Sequence, residues 1–217
     1  MRQRRTMSRL LALVMLGGLF AAAPASRAAA PPEAASCIAC HGADGMGNAA
    51  AGYPRLAGLP EQYLADQLRH FADGTRNNAI MSGMAKPLSA AQVGALAAYY
   101  ARLKPGGEHA AMPVGAVAAE GERLALRGDW DKGVPACIRC HGPGAVGVGG
   151  SFPPLTGQSA AYIEAQIEAW KDGSRRGDPL GMMHTVALRM SDAQTRDVAQ
   201  WLAAQALAPS RTSSAKP

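Results

Sequence analysis

The sequence predicts an all-α protein in which one domain occurs twice, and three observations lead there. Blocks of residues recur in the same order at nearly the same spacing. Apolar residues within each copy repeat at helical intervals with no alternating strand pattern, and each copy carries a helix-opening capping box at a matched position.

The first thirty residues stand apart from that fold. Arg2, Arg4, Arg5 and Arg9 make a positive start, Leu10 to Ala23 is apolar, and Ala28-Ala29-Ala30 offers small residues for cleavage, with Ala23-Pro24-Ala25 as a second cut. Residues 1–30 therefore read as a cleaved export signal, with an uncleaved anchor as the alternative. The apolar run is shorter than the roughly 18 to 20 residues a bilayer crossing needs, and Arg27 interrupts it. This segment holds five of the 22 Lys and Arg residues and none of the 16 acids, so the remainder has a net charge of about +1. That balance, with no basic stripe, excludes nucleic acid as a partner.

The repeat begins with Cys37-Ile38-Ala39-Cys40-His41-Gly42, which returns as Cys137-Ile138-Arg139-Cys140-His141-Gly142. Tyr53-Pro54-Arg55-Leu56-Ala57-Gly58 returns as Phe152-Pro153-Pro154-Leu155-Thr156-Gly157, and Ser89-Ala90-Ala91-Gln92 as Ser191-Asp192-Ala193-Gln194. Turn-forming residues at Pro105-Gly106-Gly107 and Met112-Pro113-Val114-Gly115 mark the joint. The expected domains are residues 31–107 and 116–208, with a linker over 108–115 and a frayed tail over 209–217.

In the first copy Tyr63, Leu64, Leu68 and Phe71 share a helical face between Pro60 and Gly74; in the second, Tyr162, Ile163, Ile167 and Trp170 do so between Ser159 and Gly173. Ser89 with Gln92, and Ser191 with Gln194, open a last helix in each copy. These carry Leu96, Tyr99 and Tyr100, and Val198, Trp201 and Leu202. The second copy also has a candidate N-terminal helix over Ala118 to Leu126. Three Phe, three Trp and five Tyr are few for two domains of this size, so a buried cofactor is expected to fill thin cores.

The Cys-x-x-Cys-His motif names that cofactor. Two thiols within one helical turn add to the two vinyl groups of one haem while the adjacent imidazole reaches its iron. A redox dithiol, half of a zinc site and simple disulfides are the alternatives. Every Cys here belongs to a pair followed at once by His, and no strand–helix alternation surrounds the pairs, which favours two covalent haem c groups on Cys37, Cys40, Cys137 and Cys140 with His41 and His141 as iron ligands.

For the sixth ligand the capped helix serves as a ruler. Met81 stands eight residues before Ser89 and Met183 eight before Ser191, whereas Met46, Met84, Met182 and Met190 have no methionine counterpart. Met81 and Met183 are therefore the expected distal ligands. The spare histidines His70, His109 and His184 are not duplicated either, which argues against bis-His ligation. His/Met ligation raises the potential. With six ligands filled the iron has no open position, so the expected activity is electron transfer and not catalysis. Two weaker signals are the Pro54 and Pro153 loops, whose carbonyls are placed to hold the imidazole N–H, and Arg76 and Arg175, which neutralise haem propionates or are simply solvated.

These residues resemble the cytochrome c4 family, in which two class I cytochrome c domains are joined in tandem. The resemblance spans nearly all of the chain after the signal, including both Pro-x-Leu-x-Gly loops and the Gly-Thr-Arg76 and Gly-Ser-Arg175 segments. It implies a periplasmic dihaem electron carrier, loosely membrane-associated, passing electrons from a cytochrome bc complex toward a terminal oxidase, with two close haems across a pseudo-twofold interface. Domains of this type begin with a helix that crosses the last one, and cleavage after Ala30 leaves only six residues for it before Cys37. A second function is the electron-accepting subunit of a periplasmic dehydrogenase such as flavocytochrome c sulfide dehydrogenase. A third is a dihaem peroxidase or thiosulfate-oxidising enzyme.

Overall fold

The computed structural model describes residues 29–106 and 110–207, so residues 1–28 of the expected export signal, His109 and the expected 209–217 tail lie outside the described residues. The first half contains α1 (Ala34–His41), α2 (Glu61–Asp73), α3 (Met81–Ala85) and α4 (Ala90–Arg102). The second contains α5 (Gly115–Leu126), α6 (Ile138–His141), α7 (Ala160–Lys171), α8 (Met182–Arg189) and α9 (Asp192–Ala204). Among the described residues the only β pairing is four isolated bridges, and no helix is long and apolar enough to cross a membrane. The protein is all-α, as its periodicity predicts.

Local chemistry sets the helix ends. Pro60 cannot donate a backbone hydrogen bond and precedes α2, and Gly74 ends it in the left-handed conformation at φ 80°, which glycine adopts without a Cβ clash. Both capping boxes form: Ser89 Oγ accepts from Gln92 N–H at 3.3 Å while Gln92 Oε1 accepts from Ser89 N–H at 2.9 Å, and Ser191 and Gln194 repeat this at 3.2 and 3.1 Å. The free amide of each glutamine then reaches the chain that precedes its Cys motif. Gln92 Nε2 donates to Glu33 at 2.9 Å, and Gln194 Nε2 to Asp129 at 2.8 Å.

Each half has its own core. Ala34, Leu64, Val93, Leu96 and Tyr100 cluster in the first, and Leu124, Ile163, Ile167, Val198 and Leu202 in the second. The N-terminal helices differ. Helix α5 crosses α9 so closely that a Cβ on Gly121 would lie 2.6 Å from the Cβ of Trp201. Helix α1 begins only at Ala34, after Pro31 and Pro32, and is shortened to eight residues. Met190 packs in the second core and so serves packing.

The halves meet through matched residues. Arg76 and Arg175 form an antiparallel bridge with each other, flanked by Asn77 N–H to Ser174 O at 2.7 Å and Arg176 N–H to Thr75 O at 2.6 Å. Pairing of a residue with its own repeat counterpart is what a pseudo-twofold axis requires. Arg55 adds a contact that is not repeated. It is 3 % exposed, donates through Nε to Gly157 O at 3.2 Å and through Nη2 to Thr156 O at 3.0 Å, and exchanges backbone hydrogen bonds with the Gln158 side chain at 3.1 and 2.7 Å. Burial pushes its guanidinium down to about 10, still charged at neutral pH.

Candidate haem sites

Helix α1 ends on His41, with Cys37 and Cys40 in its last two turns; in the second half Cys137 caps α6, which holds Cys140 and ends on His141. The peptide then doubles back. Gly47 N–H donates to His41 O at 2.8 Å and Gly147 N–H to His141 O at 2.7 Å, and a Cβ on Gly47 would run into the Pro54 carbonyl, so glycine is what lets the two strands of the loop touch. A bridge between Asn48 and Tyr53, repeated by Val148 and Phe152, closes it.

That closure delivers the proline carbonyls to the imidazoles. His41 Nδ1–H donates to Pro54 O at 2.9 Å and His141 Nδ1–H to Pro153 O at 2.8 Å. A carbonyl only accepts, so Nδ1 carries the proton and Nε2 carries the lone pair. Burial holds both imidazoles below the usual histidine value, the carbonyl acceptors pulling the other way, so the ring is neutral and fit to ligate. Among the described residues neither Nε2 has a hydrogen-bond partner.

The thiols are free of disulfides. Burial raises the Cys37 thiol and pushes Cys137 up to about 11, which disfavours the thiolate that a redox dithiol or a zinc site needs. Nor do three His, Cys, Asp or Glu side chains converge on a metal-sized site among the described residues. Two unpaired thiols, a neutral imidazole with a free lone pair and a carbonyl that fixes its tautomer fit haem c in each half.

Met81 is the first residue of α3 and Met183 the second of α8, both half-buried, whereas Met84 and Met182 are 38 % and 39 % exposed. Two side chains that sequence reasoning missed position these helices. Asn78 Oδ1 accepts from Met81 N–H at 2.9 Å, and Asp178 Oδ2 from Met183 N–H at 2.7 Å. The signal was an Asn or Asp just upstream of each methionine, obscured because the second copy inserts three residues there. Arg76 and Arg175 are not solvated: each is 6 % exposed and crosses to the other half.

This fold and site define a c-type cytochrome with two covalent haems. Residues 29–104 match the family model Cytochrome c, and residues 119–202 match Cytochrome C oxidase, cbb3-type, subunit III. The chain is 80 % identical over 216 residues, the whole of both chains, to a thiosulfate dehydrogenase electron acceptor of Thiomonas intermedia (strain K12). It is 36 % identical to cytochrome c4 of Pseudomonas aeruginosa over 90 % of this chain and 95 % of that one. Among solved structures it superposes with a TM-score of 0.74 and 44 % identity on the thiosulfate dehydrogenase TsdBA of Marichromatium purpuratum, covering 81 % of this chain and 37 % of that longer one. The chain belongs to the cytochrome c4 family of dihaem electron-transfer proteins.

Proposed function

We propose that this protein is the electron acceptor of a thiosulfate dehydrogenase, taking electrons one at a time and releasing them to a further redox protein. The observation that carries the reading is the identity of 80 % along the entire length of an acceptor of that kind. The likeness to part of a longer thiosulfate dehydrogenase chain supports it, since there a segment of this type is covalently continuous with the enzyme. This favours the dehydrogenase-partner reading over a shuttle between a bc complex and a terminal oxidase, while the cytochrome c4 relatives support a carrier able to hand electrons onward.

In this reading Cys37 and Cys40, and Cys137 and Cys140, hold the two haems by thioether bonds, His41 and His141 are the proximal ligands, and Met81 and Met183 the distal ones. The haems supply one-electron iron chemistry. The Pro54 and Pro153 carbonyls lock each imidazole in its ligating tautomer, and the caps at Asn78 and Asp178 fix where each methionine helix starts. No step makes or breaks a bond on the substrate, which stays with the dehydrogenase. The export signal read in residues 1–30 supports a periplasmic location.

The test is anaerobic mixing of the oxidised dihaem protein with a thiosulfate dehydrogenase and thiosulfate, followed by visible absorbance. Rapid reduction of both haems, dependent on enzyme and thiosulfate together, is expected. Reduction by a bc complex but not by this mixture would move the protein back to a respiratory shuttle.

A further inference from the structure

The two helices that carry the expected distal methionines are held at their starts by different chemical groups. In the first half Asn78, which is exposed, accepts through Oδ1 from Ile80 N–H at 3.1 Å and from Met81 N–H at 2.9 Å. In the second half Asp178, which is half-buried, accepts through Oδ2 from Met183 N–H at 2.7 Å and from His184 N–H at 3.4 Å. A neutral amide and a carboxylate thus hold the helix in the same way, and only the carboxylate brings a charge.

That charge is incompletely answered. Asp178 is in no salt bridge among the described residues, and its other oxygen, Oδ1, is buried with no hydrogen-bond partner. The His184 ring gives its Nδ1 proton to Trp170 O at 2.6 Å and so does not offer it to the carboxylate. The free N–H groups at the start of α8 amount to roughly half a positive charge, which offsets only part of a full negative one. A buried carboxylate oxygen without a donor is unfavourable unless positive charge lies within reach.

The cofactor supplies such charge in one oxidation state only. Imidazole and thioether ligands are neutral and the porphyrin core is a dianion, so ferric iron leaves that core with one net positive charge and ferrous iron leaves it with none. A carboxylate tied to the backbone N–H of the ligating residue therefore attracts the oxidised haem more than the reduced one.

We propose that Asp178 is a positioning residue that also biases the second haem toward the ferric state, holding its potential below the value an asparagine there would give, while Asn78 leaves the first haem without that bias. The inference deepens the proposed function and rests on its assignment of Met183 as the second distal ligand. Aspartate and asparagine have the same shape, so the charge can be exchanged between the halves while the hydrogen bond to the methionine helix is kept.

The experiment is a redox titration of the holoprotein, each haem followed by its own paramagnetically shifted methyl resonances, with the sulfur-to-iron charge-transfer bands recorded alongside. Asp178→Asn is expected to raise the second haem's potential, shifting its reduced-to-oxidised ratio by roughly three- to tenfold at a fixed applied potential, with a smaller change at the first haem. Asn78→Asp is expected to lower the first haem's potential, by less, because that site is exposed and water screens it. Asp172→Asn removes an exposed carboxylate of the same half, one that accepts from Ser174 N–H at 2.7 Å, and is expected to leave both potentials in place. The proposal is overturned if Asp178→Asn leaves the second potential unmoved with both bands intact, if it shifts the two haems equally, or if Asp172→Asn reproduces it. A wrong ligand assignment reads differently, as survival of both bands in Met183→His.

Discussion

In the first half the last helix, α4, is met near its start by the eight-residue α1, whereas in the second half α9 is crossed by the twelve-residue α5 with Gly121 pressed against it. The loop from histidine to proline, by contrast, is nearly identical in the two: glycine closure, a bridge, and an imidazole-to-carbonyl hydrogen bond of 2.9 or 2.8 Å. The duplicated chain thus keeps the geometry that orients a haem ligand and lets the surrounding scaffold diverge. Arg55 illustrates the divergence, since its counterpart Pro154 has no donor with which to return the contact. The two imidazoles therefore sit in matched loops but unmatched surroundings.

The comparison breaks most visibly at the distal ligands. Met81→His and Met183→His should each abolish one of two sulfur-to-iron charge-transfer bands in the oxidised spectrum and lower that haem's potential; retention of both bands would show that other residues ligate. Next in size is Arg55→Ala, which strips hydrogen bonds from the Thr156 and Gly157 carbonyls inside the interface. It should cost about 3 kcal/mol of stability, from buried acceptors left unmet, and calorimetry should show the halves unfolding less cooperatively.

Gly121→Ala is smaller and confined to the second half. Its new Cβ would meet Trp201 Cβ and the Asp197 carbonyl, and overpacking of this kind costs about 1–3 kcal/mol, partly offset by alanine's helix propensity. Hydrogen exchange should speed up in α5 and α9 and not in α4.

Acid gives the smallest difference. The Gln92 hydrogen bond holds Glu33 below the usual carboxylate value in the first half; in the second, Arg123 does so for Glu120 and Gln194 for Asp129. A depressed folded-state value means stabilisation that is present above the ordinary value near pH 4 and lost as pH falls through the lower folded one. Thr75 does the same for Asp73 and Ser174 for Asp172, so with three such carboxylates against two the second half should lose more protection in acid, as residue-resolved exchange would show.

Much of this was legible before folding because it is local. Capping boxes, the Gly74 stop and the proline carbonyls depend on residues within about a dozen positions of one another, and the repeat states each of them twice. What escaped was long-range. Arg76 and Arg175 read equally well as solvated or as propionate partners, since only folding brings Tyr162 and Tyr63 to them. Arg55 reads as an ordinary loop residue, although its mismatch with Pro154, and that of Leu59 with Gln158, marks a place in the loop where the copies stop being interchangeable.

The most direct test of two complete haem sites is a pyridine haemochrome assay on the purified protein alongside the mass of the intact chain and its ferric spectrum. Two thioether-linked haems per chain, both low-spin, are predicted. One haem per chain, or a high-spin ferric signal from iron with a vacant position, would contradict the account.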